Sequence, residues 1–169
     1  MNLATHSYAR SGMTLVEVMV AIVLIGIALS AMVGANGYIT QANRAGCDLS
    51  VAESLLEHIK EKTEALPVVD PETSNAQLGP EEADWTLYDD LDDFDGTSFC
   101  PPIDARGNTL AQWSTFTQQV VVENVQIDDL NAVVADLGSN FYRVTVTILH
   151  EQKEVTSATW IRCLYSEAE

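Results

Sequence analysis

The longest apolar stretch of the chain lies near its N-terminus. Residues 18–35 read VMVAIVLIGIALSAMVGA, in which Ser30 is the one clearly polar side chain. Because a helix rises about 1.5 Å per residue, this segment, slightly extended at either end, spans the roughly 30 Å of hydrocarbon in a bilayer. The pattern predicts a membrane-inserted helix over residues 13–38.

The helical pattern continues beyond this segment in amphipathic form. Apolar side chains recur at steps of three and four residues, charged side chains occupy the other faces, and Pro67 ends the pattern. We expect this half, residues 39–66, to pack on a sheet of the same domain. Glycines between residues 34 and 46 weaken helix propensity, which leaves open one long helix with a bend or local unwinding, or two helices joined by a loop. The apolar positions are Ala52, Leu55, Leu56, Ile59 and Leu66.

Alternating apolar and polar residues predict strands in the second half of the chain. Residues 141–150 read FYRVTVTILH, residues 153–164 follow after a two-residue gap, and residues 116–125 give a third strand. The first two segments are predicted to form a hairpin. A small antiparallel sheet packed on the amphipathic half of the helix buries the apolar faces of both, so we predict an α+β fold with residues 67–169 as a β-rich outer domain.

The charge of the chain is strongly negative and unevenly distributed. Its 169 residues include 8 Lys and Arg against 25 Asp and Glu, which gives a formal net charge of −17. Residues 63–105 hold many of these acids and no lysine or arginine. Such a surface repels phosphate backbones, which argues against nucleic acid as a partner and favours calcium or a basic partner.

Five aspartates cluster in the segment YDDLDDFDG, residues 88–96. Their carboxylates repel one another and need water, backbone amide donors or a cation. The spacing does not fit an EF-hand: with Gly96 at the sixth loop position, Leu91 falls where the first ligand belongs and Pro102 where the closing glutamate belongs. The run therefore predicts either a turn capped by its own aspartates or a calcium site. The candidate ligands are Asp89, Asp90, Asp92, Asp93 and Asp95.

The cysteines and histidines show no zinc or catalytic pattern. Cys47, Cys100 and Cys163 lack C-x-x-C spacing, and the three histidines are scattered along the chain. We therefore expect no enzyme and no cofactor other than calcium. For an exported domain, Cys100 with Cys163 is the favoured disulfide pair because both lie in the distal half, and three separate thiols are the alternative.

The residues in front of the apolar segment distinguish three kinds of N-terminal export signal. A secretory signal peptide could be cut after residues 33–35, and a plain signal anchor would not be cut. Neither device needs Glu17, whose carboxylate inside a membrane helix costs at least a few kcal/mol. The third device, a prepilin leader, is cut before the apolar segment. Arg10 on the near side and the acids on the far side predict a cytoplasmic N-terminus.

Residues 10–17, RSGMTLVE, resemble the N-terminal signature of type IV pilins and pseudopilins. That signature is a glycine, an apolar residue, Thr-Leu and a glutamate at the fifth place after the glycine, ahead of a long apolar helix; Met13 stands where phenylalanine is commonest. The resemblance implies that residues 1–12 are a leader, and that prepilin peptidase cuts between Gly12 and Met13 and methylates the new amine of Met13. It also implies that Glu17 neutralises that amine on a neighbouring subunit during assembly.

The same resemblance implies a structural protein with a pilin-like α+β fold. The expected partners are other pilin or pseudopilin subunits, the peptidase, the inner-membrane assembly platform and, before assembly, membrane lipid. The chain would cross the inner membrane once and then join an extracytoplasmic filament, in the periplasm or at the cell surface.

The outer domain suggests which kind of pilin the chain resembles. The aspartate run ahead of Pro101 and Pro102 resembles minor pilins of the mannose-sensitive haemagglutinin type. A type II secretion pseudopilin is the alternative within the family. An exported or membrane-anchored acidic binding domain with no filament role is the alternative of another class.

Overall fold

The structure, a computed structural model, describes residues 12–68, 79–80, 82 and 84–164. It contains one long helix, a four-stranded antiparallel sheet in the order β1-β2-β3-β4 and two short 3₁₀ helices. This is the α+β architecture that the sequence predicts. The elements are α1 (Leu15–Glu64), β1 (Ser98–Phe99), β2 (Phe116–Val125), β3 (Phe141–His150) and β4 (Lys153–Cys163), with the 3₁₀ helices at Asp92–Phe94 and Ala111–Trp113.

The chain divides into two compact units, Met1–Ala45 and Gly46–Glu169. In the first unit the described residues, 12–45, include the apolar part of α1, whose side chains are exposed apart from the half-buried Ala21. By length and composition α1 is able to cross a membrane. The helix includes all of the glycine-containing stretch 34–46, so of the two arrangements left open by the sequence the structure has the single helix.

The three long strands lie where the alternation of apolar and polar residues predicts them. β2 and β3 pair from Phe116 with His150 to Val125 with Phe141, and β3 pairs antiparallel with β4. The two-residue strand β1 was not predicted, because two residues are too few to show a period. It adds to the sheet by pairing with residues 118–119 of β2.

A tight turn joins β3 to β4, as the two-residue gap predicts. Glu151 and Gln152 form it, and both have positive φ, 51° and 67°. This is the conformation of a type I′ turn, whose twist matches that of the flanking strands. Neither residue is one that favours positive φ, so the turn is imposed by the strand pairing on either side of it.

The core of the second unit lies between the C-terminal part of α1 and one face of the sheet. Ala52, Leu55 and Ile59 of α1 are fully buried, at the spacing that the sequence predicts. Leu91, Phe94 and other apolar residues outside the long strands complete the same cluster. Because alternate strand residues point to the same face, every second position of β2 and β3 is buried. The buried apolar residues at these alternate positions are Phe116, Val120, Val122, Tyr142, Val144, Val146 and Ile148, and the polar Gln118 and Asn124 are buried on the same face.

Strand β4 also stabilises the end of α1. The guanidinium of Arg162 donates hydrogen bonds to the carbonyl oxygens of Thr63 and Leu66, the second at 2.9 Å. The last carbonyls of a helix have no partner within the helix, and they carry the negative end of its dipole. A cation at this position satisfies both requirements and fixes the helix end to the edge of the sheet.

Candidate functional site

The predicted cleavage site lies just before the first turn of α1. Gly12 and Met13 are exposed and precede the helix, which begins at Leu15. A Cβ atom built on Gly12 meets no atom within 4 Å, so the fold does not require glycine there. The peptide bond between residues 12 and 13 is therefore accessible and outside regular structure, as a peptidase substrate requires.

Thr14 and Glu17 form part of an N-terminal cap that sequence reasoning missed. The backbone N–H of Glu17 donates to Oγ1 of Thr14 at 3.3 Å, and the N–H of Val18 donates to the Thr14 carbonyl at 3.2 Å. The pattern Thr-x-x-Glu at a helix start is the signature of a capping box. An acid in the first turn also interacts favourably with the helix dipole. Glu17 therefore has a local structural role in addition to any role between subunits.

The structure buries much of the aspartate run. Asp90, Asp92 and Asp93 are at most 2% exposed, whereas Asp89 is exposed. Asp90 Oδ1 accepts the N–H of Asp93 at 3.1 Å, and Asp95 Oδ1 accepts the N–H of Val122 at 2.8 Å. Of the two alternatives from the sequence, the turn capped by its own aspartates is thus present. It also connects the loop to β2, which no local pattern indicated.

Two of the predicted calcium ligands meet a third acid from outside the run. Oxygen atoms of Glu82, Asp89 and Asp93 lie within 4.8 Å of one another. Asp93 is fully buried, and its Oδ2 accepts the N–H of Asp89 at 3.1 Å. Its Oδ1 and Oε2 of Glu82 are buried and have no hydrogen-bond donor. The arrangement is thus a pocket of three acids in which two buried oxygens have no cation and no hydrogen-bond donor beyond the acids themselves.

The charge of this cluster affects its own protonation. The pKa of Glu82 is raised to about 7, first because a hydrogen bond to the Asp93 carboxyl requires one of the two groups to keep a proton. Burial and the negative charges of Asp93 and Asp89 act in the same direction. Burial and the charge of Asp93 also raise the pKa of Tyr88, whose ring packs edge-on against Phe94. The cluster therefore behaves as one electrostatic unit with an excess of negative charge.

The cysteines are free and exposed, and the favoured disulfide is not formed. Cys100 follows β1 and Cys163 ends β4, which are the two opposite edges of the sheet. Neighbouring strands lie about 4.8 Å apart, so the edges are separated by about 14 Å, whereas the Cα atoms of a disulfide lie about 4.4–6.8 Å apart. Position in the distal half of the sequence was therefore not a sufficient reason to pair them.

Comparison with known proteins identifies the N-terminal segment. Residues 8–33 match the family described as the prokaryotic N-terminal methylation motif. The match includes Gly12, Met13, Glu17 and much of the apolar part of α1. No curated protein and no solved structure matches the chain. The motif is typical of structural proteins rather than enzymes. The chain therefore carries the N-terminal signal of a type IV pilin-like substrate of prepilin peptidase, on a helix consistent with membrane anchoring.

Proposed function

We propose that this chain is a structural subunit of a type IV pilus or a related filament. The observation that carries the proposal is the methylation motif directly in front of an exposed, apolar helix. Exposed apolar side chains over this length are unfavourable in water and need lipid or other helices around them. Lipid serves the subunit before assembly, and the same helices of neighbouring subunits replace it in the filament.

The proposed topology follows from the charges around the helix. The leader holds Arg10 and no acid, whereas the region after the helix is strongly acidic. The positive-inside preference then places the N-terminus in the cytoplasm and the domain outside the inner membrane. The assembly platform of the inner membrane is the partner that extracts the subunit, and the acidic domain faces outward from the filament.

Within this class we favour a minor pilin of the mannose-sensitive haemagglutinin type. The support is the aspartate run ahead of Pro101 and Pro102, which resembles such subunits. The motif at residues 8–33 is equally compatible with a type II secretion pseudopilin. Deletion of each filament system in the native host, followed by detection of this chain in sheared surface filaments, distinguishes the two.

The mass of the mature protein tests the processing step. We expect the chain purified from membranes to begin at Met13, with one methyl group on the new amine, because prepilin peptidase carries out both reactions. Intact-mass and N-terminal peptide spectrometry measure this. A chain that begins after Ala35 would instead identify a secretory signal peptide, and an uncut chain would identify a plain membrane anchor; either result contradicts the proposal.

Glu17 is proposed to pair with the Met13 amine of a neighbouring subunit. Two charges that are poorly solvated in an apolar helix bundle gain by pairing, and one left alone carries an uncompensated cost. Glu17→Gln removes the charge but keeps a residue that completes a capping box at this position. We expect normal cleavage and a fall of about tenfold or more in filament incorporation, measured by quantitative immunoblotting of sheared filaments.

A matched variant separates this pairing from a general effect of charge. Glu53→Gln removes one acid from an exposed position of the same helix in the second unit. Incorporation of this variant is expected to equal that of the wild type. If Glu17→Gln is incorporated as well as Glu53→Gln, Glu17 acts only in capping α1, and the proposed pairing is wrong.

A further inference from the structure

The three acids Glu82, Asp89 and Asp93 form a site that the methylation motif does not explain. Their nearest oxygens lie within 4.8 Å of one another although the carboxylates repel. Among the described residues, no lysine or arginine forms an ion pair with them, and residues 63–105 contain neither residue type. The ammonium of Lys62 lies over the ring of Phe94, 5.8 Å from its centroid. The cluster thus lacks a cation of its own.

Asp93, the fully buried member of the cluster, has a carboxylate oxygen that needs a partner. Asp93 has no exposed surface, and its Oδ1 has no hydrogen-bond donor. Oε2 of Glu82 is also a buried atom without a hydrogen-bond donor. A buried carboxylate oxygen without such a donor is strongly unfavourable unless it holds a proton or contacts a positive charge. The N–H of Asp89 does not remove this cost, because among the described residues it is the backbone donor to the Asp93 carboxylate and it reaches Oδ2 rather than Oδ1.

We propose that Glu82, Asp89 and Asp93 bind a calcium ion. Carboxylate oxygens are the ligands that hard divalent cations prefer. Two ligands of one ion are separated by at most about twice the metal–oxygen distance, which is about 4.6–5.2 Å for calcium and about 4.0–4.2 Å for magnesium. Separations that all lie within 4.8 Å are within reach of one calcium ion. Three protein carboxylates suit calcium better than magnesium, which is usually held by one or two carboxylates and keeps several waters. Backbone carbonyls and water complete the coordination of calcium in such sites.

This ligand set differs from the one expected from the sequence. Asp90 and Asp95 direct carboxylate oxygens at the backbone amides of Asp93 and Val122, so they hold the loop rather than the ion. Glu82 replaces them, although it lies outside the aspartate run. Calcium at this position would hold residue 82 against the turn of residues 89–95.

Calorimetric titration of the full-length chain in detergent micelles with calcium chloride tests the site. We expect one saturable site with a Kd of about 10⁻⁴ to 10⁻³ M, the range of calcium sites in extracellular modules, and affinity for magnesium chloride at least about tenfold weaker. Glu82→Gln should weaken calcium binding by about tenfold or more. Because Glu82 is only partly buried, this change leaves the fold intact.

Two further variants complete the design. Asp93→Asn should also remove calcium binding, with far-ultraviolet circular dichroism as a check of folding. Asp128→Asn changes an exposed acid outside the cluster, and its affinity should stay within about twofold of the wild type. Terbium luminescence sensitised by Trp85, three residues after Glu82, gives an independent readout that Glu82→Gln should also reduce.

Several outcomes would overturn the site. A calcium concentration of 10 mM is about tenfold above the weakest expected Kd. If no saturable heat is measured at that concentration, the acids share a proton and do not bind a metal. If Glu82→Gln and Asp128→Asn bind calcium with equal affinity, the measured heat comes from calcium binding to the acidic surface in general and not from this site. Equal affinity for magnesium rejects the choice of ion. None of these results bears on cleavage at Gly12, so the site and the filament role fail independently.

Discussion

Replacement of Gly12 by leucine is expected to abolish processing of the chain. Prepilin peptidases require glycine at this position because the active site approaches the backbone closely, which a side chain prevents. The fold itself has no such requirement, since a Cβ atom on Gly12 meets nothing within 4 Å. The variant should therefore insert and fold normally but keep residues 1–12. Intact-mass spectrometry of the membrane fraction distinguishes the precursor from the mature chain.

A glycine within α1 provides the control. Gly26 lies within the apolar part of α1, and a Cβ atom there also meets nothing within 4 Å. Gly26→Ala is expected to be processed as efficiently as the wild type. Efficient removal of the leader from Gly12→Leu would show that the cut is made by another peptidase, and the assignment of the N-terminal signal would then be wrong.

The sequence predicted those parts of the fold that follow a period. The alternation from Phe116 to Val125 and from Phe141 to His150 marks two strands whose bounds the structure confirms. The steps of three and four residues that include Leu55 and Ile59 mark the buried face of α1. In both cases one face of a helix or strand is buried, so apolar residues recur with the period of that element, and this period can be recognised within one segment of the sequence.

What the sequence did not predict depends on contacts between distant residues. Asp90, Asp92 and Asp93 belong to the run that the sequence predicts to form a capped turn or a calcium site, but no local pattern showed that the turn would bury them. Glu82 joins the candidate metal site only through the path of the loop. Arg162 lies 96 residues from its partner Leu66. No spacing rule within one segment identifies such pairs.

Gln118 gives the clearest case of such a contact, and its replacement by leucine is expected to destabilise the second unit strongly. The side chain is fully buried in β2, where the alternation predicts an apolar residue. Nε2 donates to the carbonyl oxygens of Leu55 and Ile103 at 2.8 and 3.0 Å, and Oε1 accepts the N–H of Ile103 at 2.8 Å. One carboxamide thus joins the sheet, the helix and the loop after β1.

The expected cost follows from the groups that lose this partner. Leucine has a similar volume but leaves the N–H and the carbonyl of Ile103 without a partner, at about 1–3 kcal/mol for each buried group left unsatisfied. The carbonyl of Leu55 keeps its hydrogen bond within α1. We therefore expect the free energy of unfolding to fall by about 3–5 kcal/mol. Urea denaturation of the full-length chain in micelles measures this by tryptophan fluorescence, because Trp85, Trp113 and Trp160 all lie in the second unit.

The adjacent residue provides a control of the same chemistry. Gln119 is exposed on the opposite face of β2, so Gln119→Leu removes the same side chain without leaving a buried group unpaired, and its unfolding free energy should change by less than about 0.5 kcal/mol. A loss of less than about 1 kcal/mol in Gln118→Leu would show that the loop around Ile103 re-forms its hydrogen bonds elsewhere. The hydrogen bonds of Gln118 would then result from the packing of α1 on the sheet and would not be one of its causes.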